Sequence, residues 1–497
     1  MRLLAWLAAA WCGMPLAARG GESPARPERR ISLEEVVALA VEHNLRLAAE
    51  RLSPQQADTV VIERIALFDP FVYGDYTREK SRQQSSTGLF GNRQQLSDAT
   101  VGLQKLFPPG TVADLHLATR REWSDFPFAA VNPAYENEFG WSITQPILRG
   151  FGTRVNTAGI ATAQNERRIA TQQLRSVALD VVAEAQKTYW ELVYAIRNKA
   201  LLQRSLERAV SLQRDILARV EAGVLGERDP SVAQAQAEVA LREEDIVVAG
   251  DLIRDAEEAL KVITDLAADP QVWDQALVPT TEPPTDVPPL EPQRAVDTAL
   301  AHRPDYQQAK LSIENRDIDV MVGRNELLPR LDASFGINNT GLSAASHQAR
   351  RDLGTFDYYH WVLGIRLEYP LGNRAARARY RRARLQRRQA FISLKGLERQ
   401  IHLQVRNAIR QVGTDVERLR AAQATVAAER ERVRAEEIRF TEAQVGTSQD
   451  VLDAQADLAE AERRSLRALI DLNQSLVDVE RVAGTLLEAS GVSFQEE

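Results

Sequence analysis

Cysteine is almost absent from this 497-residue sequence: the one copy is Cys12, close to the start. Downstream of it no disulfide, thiol nucleophile or cysteine-ligated metal is available. Aromatic residues make up only 6% of the chain, while Ala, Leu, Val, Glu, Gln and Arg abound, a composition suited to long helices packed through small side chains. Gly (26) and Pro (21) are too few for a collagen-like or low-complexity chain. A formal net charge of -7 excludes a generic nucleic-acid binder and is too mild to predict disorder. Beyond residue 18 no apolar run has the length of a membrane-spanning helix, so membrane contact would be made by strands or through a partner. Catalytic patterns are missing too. His43, His116, His302, His347, His360 and His402 are scattered, and there is no HExxH, phosphate-binding glycine loop or Gly-x-Ser-x-Gly elbow. The sequence predicts no enzyme, no metal site and no cofactor.

Residues 1–18 read as a secretory signal peptide, with Arg2 as the positive start, Leu3 to Trp11 as a short apolar stretch and Leu16-Ala17-Ala18 as a cleavage site. Trp11 is too bulky beside Cys12 for lipidation of that cysteine to be expected.

Internal repetition carries most of the information. Residues 37–76 align without a gap on 296–335 at an offset of 259, with Val37/Val296, Ala40/Ala299, His43/His302, Leu52/Leu311, Asp58/Asp317 and Pro70/Pro329 identical. At Pro146/Pro370 the offset has dropped to 224, so the first copy holds 35 extra residues between these landmarks. Later, Ala235-Gln-Ala-Glu-Val-Ala matches Ala454-Gln-Ala-Asp-Leu-Ala. This divides the chain into a first repeat (19–269), a proline-rich linker in an equatorial region (270–292), a second repeat (293–489) and a tail (490–497).

Each repeat reads as short helix, strands, long helix, tight break, shorter returning helix. Ser32, with Glu35 three residues on, starts a helix that Asp69-Pro70 stops near Leu67. Period-2 segments predict strands at Phe71–Thr77, Glu138–Thr144, Leu331–Asn338 and His360–Tyr369, four per chain. The extra segment near residues 98–120, split by Pro108-Pro109-Gly110, reads as a further hairpin or a long loop. From Arg154 to Glu221 and from Ala375 to Gln444 helical patterns run on the order of 100 Å, each followed by a returning helix half as long. A short helix stacked end to end on a returning one would give a wall of even height. The predicted fold is mostly α with a small β part: tandem-duplicated long helical hairpins in a coiled-coil or helical-barrel architecture.

These residues resemble the outer-membrane efflux proteins, the TolC-like exit ducts. The resemblance rests on Ala299-Leu-Ala-His-Arg-Pro-Asp-Tyr, Gln145-Pro-Ile-Leu-Arg-Gly-Phe-Gly, Val445-Gly446 followed by Asp450-Val-Leu-Asp-Ala-Gln, and Val482-Ala-Gly-Thr-Leu-Leu. It covers essentially the whole chain after the leader. It implies a homotrimer in outer-membrane lipid, its hairpins forming a trimeric α-helical barrel in the periplasm that is continued by a shared transmembrane β-barrel, for which four strands per chain would supply about twelve. It also implies two partners, a periplasmic adaptor (membrane fusion protein) and an inner-membrane pump or secretion ATPase, as in a tripartite efflux pump or type I secretion system. Carried onto this sequence, it assigns a periplasmic gate to Asp450 and Asp453, with Asp229 as the nearest first-copy counterpart. Gly223, Gly226, Val445 and Gly446 become the adaptor-docking tip. Pro146, Gly150, Pro370 and Gly372 mark the strand-to-helix junctions.

Alternatives stand beside these assignments. Asp450 also reads as an ordinary acid in the first turn of a helix and Asp453 as a solvated residue; as a ring, their like charges would raise some of their pKa values. The tip break is two residues shorter than the family's spacing, and the Tyr and Arg that lock the family's closed tip have no match. Tyr73, Tyr76, Trp141, Trp361 and Tyr369 read as interfacial girdles or as packing residues. The arginines from Arg374 to Arg388 read as a salt-bridged helix or as a contact for lipid phosphates. A non-pore periplasmic coiled-coil adaptor is the rival reading of the whole chain.

Overall fold

The computed structural model describes residues 26–84, 92–224, 226, 229–441 and 447–492. The leader with Cys12, and Val445 and Gly446 of the tip, lie outside the described residues. The first repeat opens with β1 (Glu28–Ile31), α1 (Leu33–His43), α2 (Leu45–Glu50) and α3 (Leu52–Ile65). Four strands follow: β2 (Phe71–Arg82), β3 (Arg93–Leu106), β4 (Val112–Ser124) and β5 (Ala134–Pro146). Then come α4 (Thr153–Asn156), the long α5 (Ala158–Glu221) and the returning α6 (Pro230–Ile263). The linker contains α7 (Pro270–Trp273) and β6 (Ala276–Pro279). The second repeat consists of α8 (Pro292–His302), α9 (Pro304–Asn325), β7 (Arg330–Ser343), α10 (Ser346–Asp352), β8 (Tyr359–Glu368), α11 (Arg374–Thr441), α12 (Ser448–Ala483) and α13 (Leu486–Ala489).

The helices match the expected plan. At 64 and 68 residues, α5 and α11 are about 96 and 102 Å long, and α6 and α12, at 34 and 36 residues, about half that. Ser32 caps α1 by accepting from the Glu35 amide. The opening helix is not continuous, however. Asn44 leaves helical geometry (ψ 121), and its side chain accepts from the Leu47 amide, restarting the helix as α2.

The predicted end-to-end stacking is visible in matched contacts of the two repeats. Asn44 donates to the carbonyl of Ile263 at 2.9 Å, and its repeat mate Arg303 reaches the carbonyl of Val482, the mate of Ile263, at 3.4 Å. At the end of each returning helix the backbone turns left-handed, at Asp265 (φ 55), just past the C-cap Thr264, in the first copy and at its mate Gly484 (φ 78), the C-cap itself, in the second. A Cβ on Gly484 would sit 3.1 Å from the Arg303 nitrogen and the His302 carbonyl carbon, so the closing Ala-Gly-Thr motif and the His-Arg-Pro-Asp motif constrain each other. Gly484→Ala is therefore expected to cost about 1–3 kcal/mol, and Asp265→Gly to be neutral or stabilising, in thermal unfolding.

The core is concentrated halfway along α5. Tyr189, Trp190 and Leu192 pack there with Val36, Val37 and Ala40 of α1, Leu260 of α6 and Ile470 and Val477 of α12. The linker is more structured than its prolines suggest. β6 pairs in parallel with β1, the Tyr189 hydroxyl accepts from the Thr281 amide at 2.9 Å, and the fully buried Lys261 donates to the carbonyls of Trp273 and Gln275. Ion pairs Lys187–Asp478 (2.7 Å) and Arg467–Glu191 (2.8 Å) join the two repeats' hairpins at this level.

The sheet differs from expectation. Six strands, not four, form one continuous antiparallel sheet in the order β2-β3-β4-β5-β7-β8. The extra residues of the first copy are the hairpin β3–β4, inserted between β2 and β5 in full register on both sides. The turn at Pro108–Gly110 left a loop equally possible in sequence; the cross-strand partners that decide it lie in β2 and β5.

Candidate functional site

Both long helices leave the sheet through left-handed glycines, where a side chain would strain the backbone: Gly150 (φ 83) after Pro146, and Gly372 (φ 88) after Pro370. Gly150 donates to Asn325 Oδ1 at 2.8 Å, and Asn156 donates back to the Gly150 carbonyl at 2.8 Å. In the second copy Asn373 donates to the Leu327 carbonyl at 3.0 Å. Gly110, at the lower turn of the inserted hairpin, presses on this junction: a Cβ there would lie 2.9 Å from the Pro146 ring.

The unbroken register sorts every strand residue onto one of two faces. One face is apolar through its middle, with Val72, Val101, Leu103, Leu115, Leu117, Phe139, Trp141, Ile143, Phe335, Ile337, Trp361, Leu363 and Ile365. The opposite face holds all the strands' carboxylates, from Asp75, Glu79 and Asp98 through Asp114, Glu122, Glu136 and Glu138 to Asp332 and Glu368. Tyr76, Trp141 and Trp361 lie on the apolar face, whereas Tyr369 follows the end of β8. Tyr73 does not belong with them. Its register partner is Gly102, which leaves room for its ring on the polar face, and its hydroxyl donates to Asp114 Oδ2 at 3.0 Å. His116 lies 3.1 Å from Asp114 and 3.5 Å from Glu138 in the same polar cluster. Among the described residues no group of His, Asp and Glu is arranged to hold a metal ion.

At the far end of the helices, Leu212 and Ile216 (α5), Ala235 (α6), Phe440 (α11) and Val451 and Leu452 (α12) form one small core that joins the two hairpin tips. Arg219 fastens it from the first repeat: its guanidinium lies 3.9 Å from the centroid of the Phe440 ring and donates to the Phe440 carbonyl at 2.8 Å. Sequence reasoning missed this pair because it sought a tyrosine lock; the signal was an arginine and a phenylalanine in the last turns of the two long helices.

Asp450 is exposed and takes part in a capping box: its amide donates to Thr447 Oγ1 at 3.2 Å, and the Thr447 amide donates back to Asp450 Oδ2 at 3.0 Å. Hydrogen bonds from the Thr447 side chain and amide hold its carboxyl below the usual range, opposite to the rise that ring repulsion alone would bring. Asp229 is likewise lowered, by the hydroxyl and amide of Ser231, and caps α6. Asp453 is exposed and accepts from Gln449 at 2.7 Å. Gly223 turns left-handed (φ 72) at the end of α5, and Gly226 is exposed. Since the folded-state pKa of Asp450 is depressed, the cap is complete at neutral pH and is lost as pH falls through that lowered value. Thr447→Ala should speed amide exchange in the first turn of α12 at neutral pH, with the midpoint of thermal unfolding nearly unchanged.

Of the arginines at the start of α11, Arg379 pairs with Glu326 at 3.1 Å, Arg387 pairs with Asp317, and Arg384 stacks over Tyr380. The salt-bridged reading describes this part of the cluster.

The described residues thus build a helical stem of two long hairpins surmounted by a sheet with one apolar and one acidic face. Residues 295–485 match the family described as outer membrane efflux protein. No curated protein matches the chain in sequence. The fold is similar to that of the outer-membrane channel OprN (17% identity, TM-score 0.67, covering 91% of this chain and 90% of that one). It is also similar to a membrane protein from Pseudomonas aeruginosa (19%, 0.66, 91% and 93%) and to the Campylobacter jejuni CmeC outer membrane channel (18%, 0.63, 91% and 86%). The TolC-like resemblance read from the sequence thus agrees with the family match over residues 295–485 and with the fold shared with these channels.

Proposed function

We propose that three copies of this chain form an exit duct that passes substrates from a periplasmic adaptor and an inner-membrane transporter to the exterior, in an efflux pump or a type I secretion system. The observation that carries the reading is the segregation of the sheet. A strand face without a single carboxylate suits lipid, and a face bearing all of them suits a water-filled lumen.

Ring closure is supported by both edges of the protomer. β2 and β8 each have one unpaired side, which hydrocarbon does not tolerate. In the stem, α3 and α11 flank a row that runs through α5 and α9, and both expose apolar side chains, among them Ile62 and Ile65 on one and Leu385 and Ile392 on the other. Three copies bring eighteen strands, half as many again as the four-strand expectation, and a barrel of that size encloses an aqueous channel. Asp450, Asp453 and Asp229 would face the periplasmic aperture and favour cations, while Gly223, Gly226, Val445 and Gly446 would meet the adaptor.

Single-channel recording of the detergent-purified chain in planar bilayers tests this. Small cation-selective currents are expected from inserted trimers, with selectivity reduced by Asp450→Asn/Asp453→Asn. Recovery of the protein only from the soluble periplasmic fraction would favour the adaptor reading.

A further inference from the structure

We infer that the outward face of β2, β3 and β4 carries a cationic collar that binds the phosphorylated headgroups of outer-leaflet glycolipid. The inference rests on the outer-membrane reading and adds a specific lipid partner to it. Because β2 rises from the periplasmic helices, Arg82 lies at its exterior end, and antiparallel pairing places Arg93 and Ser124 at the same level. Along the apolar face of β2 the sequence runs Val72, Gly74 and Tyr76, then switches to Arg78, Lys80 and Arg82. The same face carries Arg93 at the upper end of β3 and Arg121 near that of β4.

Three features separate this group from a solvated patch. It directly continues the apolar belt: at about 3.3 Å per residue, Arg78 stands about 20 Å along the strand from Val72, where long basic side chains can snorkel to a phosphate layer. Arg82 and Arg93 are register partners, and like charges set directly opposite each other are unfavourable in a sheet. Finally, no strand of the sheet places an Asp or Glu on this face; Asp125, one residue past β4 and opposite Arg93, is engaged by the Arg93 backbone amide at 2.8 Å, which leaves four basic side chains against at most one carboxylate. Arg78, Lys80, Arg82 and Arg93 are all exposed, while Arg121 is held over the Tyr135 ring and donates to its hydroxyl at 3.2 Å. Anionic groups at the bilayer surface meet the requirement from outside, at a height where the interior of the bilayer holds no anion. Two of the three strands involved belong to the inserted hairpin, so the insertion that lengthens the sheet also supplies part of the collar.

The test is lipid retention. Wild type and an Arg78→Gln/Lys80→Gln/Arg82→Gln/Arg93→Gln variant are reconstituted in phosphatidylcholine containing either bis-phosphorylated lipid A or its dephosphorylated form, and lipid carried through re-purification is quantified by mass spectrometry. Wild type should retain the phosphorylated form on the order of tenfold better, and the variant should show no preference. Arg78→Lys/Arg82→Lys/Arg93→Lys should keep it, and the smaller Arg82→Gln/Arg93→Gln variant should lose part of it should the fourfold variant fail to insert. Equal retention of both lipids by wild type, or an undiminished preference in both Gln variants, would overturn the collar. Complete displacement by excess inorganic phosphate would also overturn it, in favour of a soluble-anion site. Insertion into plain phosphatidylcholine is scored on the same preparations: its absence in wild type removes the membrane reading itself, whereas insertion without lipid preference removes only the collar.

Discussion

Arg219→Ala is expected to raise the open time of the duct about tenfold or more in single-channel recordings, with Phe440→Ala producing a similar rise. The guanidinium joins the last turn of α5 to that of α11 through a ring face and a carbonyl. A cation–π contact of this kind contributes about 0.5–2 kcal/mol, and a hydrogen bond from a charged group about 1.5–3 kcal/mol. Every 1.4 kcal/mol lost shifts an equilibrium about tenfold, and a trimer would hold the contact three times. The small apolar core under it, with Leu212, Ile216 and Leu452, remains in the variant, so the hairpins should loosen without unfolding. Unchanged open time in both variants would move the closing contact away from this pair. Double-mutant coupling separates the two possible causes, because a shared contact makes the second substitution nearly silent.

The second large effect concerns the other end of the molecule. Excising residues 93–124 deletes β3 and β4 and leaves β2 and β5 antiparallel and free to pair. Barrel diameter grows roughly linearly with strand number, so the lumen of the proposed trimer should shrink to about two-thirds of its width and about half its area. In the proposed duct, tip and barrel would be resistances in series. The excision should therefore change little while the tip is closed, and should lower conductance about twofold once Arg219→Ala has opened it. An excised protein that inserts and conducts like the full chain in the opened background would mean that the hairpin does not line the barrel.

The helical plan was legible from sequence because it rests on periodicity and punctuation. Repeat offsets, Asp69-Pro70, Gly223 and Asp229-Pro230 marked boundaries within a few residues of those observed. What was not legible depends on partners distant in sequence. Whether residues 98–120 were loop or sheet was decided by β2 and β5. The side on which Tyr73 falls was decided by its pairing with Gly102. The parallel pair β1–β6 joins segments about 250 residues apart, each only four residues long and too short to show alternation. The break at Asn44 was readable in principle: asparagine is a good N-cap, and its repeat mate Arg303 precedes Pro304, which also restarts a helix. At the tip, the acidic residues were found by resemblance, whereas the arginine–aromatic pair needed the packing of two hairpins to bring it together.

The unequal repeats have a consequence for how such a chain can change over generations. The two copies agree closely in their helices but differ in strands, four against two in the shared sheet. A hairpin accepted between two antiparallel neighbours reverses no strand, breaks no pairing polarity and returns the chain to the junction it left, here at Gly110 against Gly150. Sheet circumference can therefore be inherited separately from stem circumference and, under threefold assembly, can grow only in increments of six strands. In the proposed assembly, the girth of the mouth and the fit of the stem to its partners thus become independent targets of selection within one gene.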